Sequence, residues 1–168
     1  LFSDTIRGNL LLRSEGISDD EVMAACRYVN ADSFIDKLAG GLDEPVHERG
    51  ANFSAGQRQL LSFARTILHK PSVMILDEAT ANIDTETEQL IQDSLEKMMN
   101  IGTMLIVAHR LSTVQNADNI IVLSHGEIAE QGNHASLLAK RGKYYRLYQL
   151  QSARGGGGGD APAGGVKG

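Results

Sequence analysis

At 168 residues, with 42% hydrophobic and 22% charged residues, the chain has enough material for one ordinary globular domain with a real core. A net charge of −5 and the lack of any Lys/Arg-rich run give no support to a nucleic-acid footprint. No apolar run reaches the roughly 18 to 20 residues of a membrane helix, the opening residues do not read as a secretory leader, and a single cysteine, Cys26, excludes an intramolecular disulfide framework.

In chain order, "SDTIRGNLLL" predicts a brief helix around Thr5–Leu11. Ser18–Glu21 has the S-x-x-E spacing of a capping box, and Val22, Ala25, Cys26 and Val29 then share one helical face. Cys26 reads there as a small buried apolar residue, in keeping with a reducing compartment. A second short helix is expected at Asp32–Leu38, and the turn-rich Ala39–Gly50 reads as a loop. A helix begins after Ser54, carries Leu60, Leu61, Ala64, Ile67 and Leu68 on one side, and stops at Lys70-Pro71.

Val73–Leu76 reads as a strand covered on both faces. Thr85–Glu88 reads as a second capping box, opening a helix with Ile91, Leu95 and Met98, and Thr103–Ala108 as a second buried strand. Strand, helix, strand at this spacing is a βαβ unit and implies a parallel sheet. Asn119–Ser124 and "EIAEQG" are expected to form a hairpin about His125-Gly126, followed by helices at Ala135–Lys140 and Lys143–Ala153. Tyr144, Tyr145 and Tyr148 read as a docking surface. The last residues, 154–168, are too glycine-rich to pack and read as disordered.

The chemistry is concentrated in "VMILDEATANID", where a buried-looking strand runs into two adjacent carboxylates, Asp77 and Glu78. Burying one unpaired carboxylate is costly and burying two is worse. Ligands of α/β sheets bind at the carboxyl ends of strands, and a magnesium nucleotide would supply the missing cation there. Upstream, Ser54, Ala55 and Gly56 place small side chains at a helix start, where backbone amides and the helix dipole favour a phosphate. An ordinary N-cap explains Ser54 but leaves Gly56-Gln57 unexplained. His109 ends the next strand in "LIVAHRLS" and is placed to reach the same phosphate.

The run "FSAGQRQLLSFARTILHKPSVMILDEATANID", followed by "VAHRLST", resembles the nucleotide-binding domain of ABC transporters. "LFSDTIRGNL" and "HERG" look like segments of its exporter branch, nearest to bacterial multidrug exporter half-transporters. The likeness covers about Leu1 to Ala153. It implies an α/β fold: part of a P-loop NTPase (RecA-like) core with parallel strands, plus the ABC helical subdomain. Domains are expected at 1–70 (helical subdomain) and 71–153 (second half of the ATPase core).

The resemblance further implies an ATP- and Mg2+-dependent ATPase coupled to export of drugs or lipophilic compounds. Phe53, Ser54, Ala55, Gly56 and Gln57 would be the signature motif that meets ATP held by a partner domain. Asp77 would organise Mg2+, through water, and Glu78 would be the catalytic base. Residues Ala81–Asp84 would be the D-loop, with Asp84 at the nucleotide interface, and His109 would be the switch histidine. Val46–Gly50 would sense the transmembrane domain, with His47 where a glycine is usual. Implied partners are a second nucleotide-binding domain and a transmembrane domain, with no nucleic acid. "FSAGQ" and "ATANID" favour a heterodimer over a homodimer. The implied location is the cytoplasmic face of a bacterial inner (plasma) membrane. His69, His125 and His134 match no family motif and are expected to be structural.

The phosphate loop G-x-x-x-x-G-K-[ST] does not occur in the sequence. Nor do the family's adenine-stacking aromatic and the glutamine preceding "LF". The chain, which opens on Leu1 without a methionine, is therefore expected to be the later part of a longer protein. By itself it is expected to be poorly soluble and inactive toward ATP. Two other readings remain open from the sequence: a chromosome-maintenance or DNA-repair ATPase with a related signature, and a non-catalytic module that only supplies the signature face.

Overall fold

The computed structural model describes residues 1–77, 83–108 and 111–155. It is an α/β chain of two compact units, one spanning Leu1–Val107 and the other starting at Ala108.

The first unit opens with β1 (Asp4–Thr5), which pairs antiparallel with β2 (Pro45–Val46), and α1 (Ile6–Leu11). Thr5 caps α1 by accepting from the Gly8 amide at 3.0 Å. The expected loop 39–50 is thus partly paired, because Pro45–Val46 finds a strand edge that local sequence does not reveal. Next, α2 (Asp19–Tyr28) starts on the expected capping box: Ser18 Oγ accepts from the Glu21 amide and the Glu21 carboxylate accepts from the Ser18 amide. The next helix, α3, is shorter than expected, Asp32–Ile35, and gives way to turns.

Helix α4 (Ala55–His69) lies at the centre of this unit. Its spacing puts Leu60, Leu61, Phe63 and Ala64 on a fully buried face, packed with Ile6 and Leu10 of α1, Val22 and Cys26 of α2, and Ile91 and Leu95 of α5 (Thr85–Met99). Lys70 adopts the left-handed conformation, with φ of 45°, and ends α4 as expected. His69 Nε2 donates to the Leu10 carbonyl at 2.9 Å, so this histidine ties α4 to α1. Ser94, buried in α5, donates to the Val29 carbonyl at 2.8 Å, and Asn30 bonds Ser94 Oγ at 3.2 Å, which fixes the end of α2 to α5. Arg7 is ion-paired to Asp19 and Asp43, linking α1, α2 and the turn at Gly41–Asp43.

The strands β3 (Val73–Asp77) and β4 (Thr103–Val107) pair in parallel, Val73 opposite Thr103 and Asp77 opposite Val107, as the βαβ reading requires. The expectation that both faces are covered is corrected. Met74 is buried against the helices, whereas Val73, Ile75, Leu105 and Val107 are each at least half exposed. A continuous apolar run reports that both faces are apolar, not that both are covered. This face is an association hazard and gives the expected low solubility a physical basis.

In the second unit, α6 (Leu111–Val114) precedes the antiparallel hairpin of β5 (Ile120–Ser124) and β6 (Glu127–Gly132). His125 and Gly126 have φ of 52° and 82°, the two positive values a tight hairpin turn needs. Then follow α7 (His134–Lys140) and α8 (Lys143–Gly155), so α8 runs through Arg154 and Gly155, two residues expected to belong to the tail. The remainder of the expected tail, 156–168, lies outside the described residues. Ile120, Leu137 and Tyr144 form the core of this unit. Tyr144 is therefore not docking surface: its hydroxyl bonds His134 Nδ1 at 2.7 Å, its burial pushes its pKa up, and Glu130 caps α8 by accepting from the Lys143 and Tyr144 amides.

Cys26 is fully buried, and desolvation, reinforced by the charge of Asp32, pushes its thiol pKa up to about 12. The native thiol is therefore expected to resist iodoacetamide at pH 8 and to react only as the chain unfolds in urea. Rapid alkylation without denaturant would show that α2 is not packed as described.

Candidate functional site

The turn at Phe53–Gln57 is built almost entirely from local and core interactions. Phe53 is buried, its ring 6.0 Å from that of Phe34. Ser54 is the N-cap of α4, and Ser54 and Gln57 form a reciprocal capping box, with bonds of 3.1 Å and 2.9 Å. Gln57, which the sequence left unexplained, is thus the second half of that box. Arg58 donates to the Phe53 carbonyl at 2.6 Å and reaches the Gly50 carbonyl at 3.3 Å, so it braces the turn from below. Gly50 itself has φ of 70°, and a methyl group there would press within 2.9 Å of Arg58 Cδ, so only glycine fits.

What remains uncommitted is small and specific. The first turn of a helix leaves its leading amides without intrahelical partners. Here the capping box uses those of Ser54 and Gln57, which leaves Ala55 and Gly56. The Ser54 oxygen accepts from Gln57, so its own O–H is still available as a donor. Two amides and one hydroxyl at the positive end of a fifteen-residue helix form an anion-binding arrangement.

Asp77 ends β3, exposed, and its carboxylate makes no hydrogen bond or ion pair among the described residues. A lone carboxylate at the carboxyl end of a parallel strand suits a hard cation that keeps most of its water, as Mg2+ does. An open cavity of about 470 Å³ is lined by both Ala55 and Asp77, together with Arg49, Arg58 and Arg65. Three guanidiniums against one carboxylate favour an anion. Its wall includes the exposed Ile75, so it opens on the uncovered face of the sheet.

Asp84 has a role in the fold itself. It is the N-cap of α5 and accepts from the Thr87 amide at 2.8 Å, so the capping box expected at Thr85–Glu88 is replaced by a cap one residue earlier. Aspartate outcompetes threonine there because its charged oxygen meets the helix dipole. Glu78, Ala81, Asn82 and His109 lie outside the described residues. In the Val46–Gly50 segment, Asn52 accepts from the His47 amide at 3.0 Å and donates to the Pro45 carbonyl at 2.9 Å, clamping that segment next to the signature turn. Sequence reading passed over Asn52, Arg58 and Thr87. For Asn52 and Arg58 the only signal available was the polar residue type, whereas Thr87 stands at the cap spacing of three residues from Asp84.

The hydrogen bonds from Thr87, the backbone amide foremost, hold the Asp84 carboxyl below its ordinary value of 3.8. A lowered native pKa means that the charged cap contributes stability in full above that ordinary value and loses it as pH falls through the lower native one. Asp84→Ala is therefore expected to reduce the urea midpoint clearly at pH 7 and much less at pH 2. Equal losses at both pH values would contradict a charged cap.

The ABC transporter family profile matches residues 4–81. An ATP-dependent lipid A-core flippase of Syntrophus aciditrophicus is 49% identical over 151 residues, covering 90% of this chain and 25% of the flippase. An uncharacterised ABC transporter ATP-binding protein of Bacillus subtilis is 52% identical over 151 residues, with the same coverage. Among solved structures, a bacterial Atm1-family ABC exporter with ATP bound superposes with a TM-score of 0.79 at 38% identity, over 96% of this chain and 27% of the exporter chain. The chain spans about a quarter of the length of these relatives. Over nine-tenths of its length the chain is thus similar to ATP-binding proteins of the ABC transporter family, and its fold is similar to that of the exporter.

Proposed function

We propose that this chain works as part of the ATP-hydrolysing engine of an ABC exporter, within a longer polypeptide that also carries a permease part. The observation that supports this most directly is the signature turn. Once the fold has taken its share of Phe53–Gln57, the donors left over are the Ala55 and Gly56 amides and the Ser54 hydroxyl, at a helix N-terminus. That set recognises a terminal phosphate. In this reading the phosphate belongs to ATP held by a second nucleotide-binding domain, which is why the turn can be complete here without a phosphate loop of its own.

Asp77 would hold Mg2+, and Glu78 would accept a proton from the attacking water as general base. Mg2+ held there would supply positive charge to offset the charge developing in phosphoryl transfer. His109 holds the terminal phosphate, and Asp84 fixes the start of α5 beside the interface. The Val46–Gly50 segment, clamped by Asn52, passes the change to the transmembrane partner. The relatives include a lipid A-core flippase and an ABC exporter, which supports a lipophilic cargo and a place at the cytoplasmic face of a membrane, and "FSAGQ" and "ATANID" favour a heterodimeric pair of ATP-binding domains.

The test is ATP turnover by the full-length polypeptide in lipid vesicles. Glu78→Gln is expected to lower kcat about 100-fold or more, in line with loss of a general base. Turnover at the unmodified rate in Glu78→Gln would overturn the assignment.

A further inference from the structure

Gly56 invites explanation by the ligand: a bare Cα lets a phosphate come close. The structure gives it another neighbour. A methyl group built on Gly56 would overlap the Cγ2 methyl of Thr87 outright, and would lie only 3.3 Å from both Thr87 Cβ and Ile83 Cγ2. Non-bonded carbons settle at about 3.5–4.0 Å. The first turn of α5 is therefore seated on the side of Gly56 where any other residue would carry its Cβ.

Thr87 is held in this pose from its other side. Its amide donates to Asp84 Oδ1 at 2.8 Å. The amide bond fixes the first turn of α5, and the Thr87 methyl lies against the bare Cα of Gly56. Two helix starts are thus joined back to back: the Ser54 cap of α4 and the Asp84 cap of α5.

We propose that Thr87 is a positioning residue for the signature turn, its methyl seated on the bare Cα of Gly56 so that it sets the spacing between the donors at Ser54–Gly56 and the Asp84 turn. This rests on the function proposed above. It assigns the need for glycine at position 56 to a fit within the domain, not to the approach of nucleotide. Any β-carbon at 56 pushes the two starts apart, and a misplacement of about 1 Å at reacting groups can cost about 100-fold in rate.

Thr87→Ser removes the Cγ2 methyl alone and keeps the amide bond to Asp84, so it is the matching partner for a small side chain at 56. The test compares the full-length protein with Gly56→Ala, Thr87→Ser, and the double variant, reading kcat for ATP and the thermal midpoint of each. Gly56→Ala is expected to lower kcat by up to about 100-fold and to lower Tm, and adding Thr87→Ser is expected to restore both. Gly56→Ala combined with Thr87→Val, which keeps the methyl, is expected to stay impaired. If Thr87→Ser restores Tm but not turnover, glycine is required by the nucleotide and the proposal fails. It also fails if Gly56→Ala alone is fully active. If the unmodified protein shows no ATP turnover, the functional reading fails separately, and the four midpoints still decide whether Thr87 sits on Gly56.

Discussion

Burial of one face of α4 is the constraint on which the rest of the first unit depends. Leu60 and Leu61 are almost wholly removed from water, and helices α1, α2 and α5 all reach the same cluster through them. Burying a leucine side chain contributes about 1.5–3 kcal/mol, and truncating one in a packed core costs about 2–5 kcal/mol. No surface ion pair in the unit approaches that. The position of the α4 N-terminus, and with it the candidate phosphate donors, follows from where this face must lie.

From that placement the site is assembled by subtraction. Phe53 and Phe34 anchor the approach to the helix, Arg58 gathers the Phe53 and Gly50 carbonyls, and Gln57 closes the capping box. Phe53 and Gln57 belong to the run expected to meet nucleotide, and each already has a structural duty. A phosphate is left two amides and a hydroxyl on a frame that the core holds still. The same economy applies at Asp84, whose carboxylate caps α5 before it can serve any interface. Asp77 is the exception, being exposed and unpartnered among the described residues, and this fits a group that waits for a cation.

Much of this was legible in the sequence because it is periodic or local. The helical face of α4, the Ser18 capping box and the His125-Gly126 turn follow from spacing within a few residues, and the parallel β3–β4 pair from the order strand, helix, strand. What escaped was long-range. The pairing of Pro45–Val46 with Asp4–Thr5, the Asn52 clamp and the fit of Thr87 to Gly56 depend on residues brought together only by the fold. Tyr144 was misread for a related reason: helical spacing groups it with Tyr145 and Tyr148, but only the packing of α7 against α8 decides which ring is buried. Apolar strands were read as covered on both faces because composition cannot report what stands opposite them.

The central claim, that α4 holds the signature turn through one shared core, is tested most directly by native-state hydrogen exchange in low urea. The amides of Leu60–Ala64 in α4, Val22–Cys26 in α2 and Ile91–Leu95 in α5 are predicted to open together, at one common free energy and with one urea dependence. If α4 opens at lower free energy than α2 and α5, the turn is not held by that core and the account is contradicted.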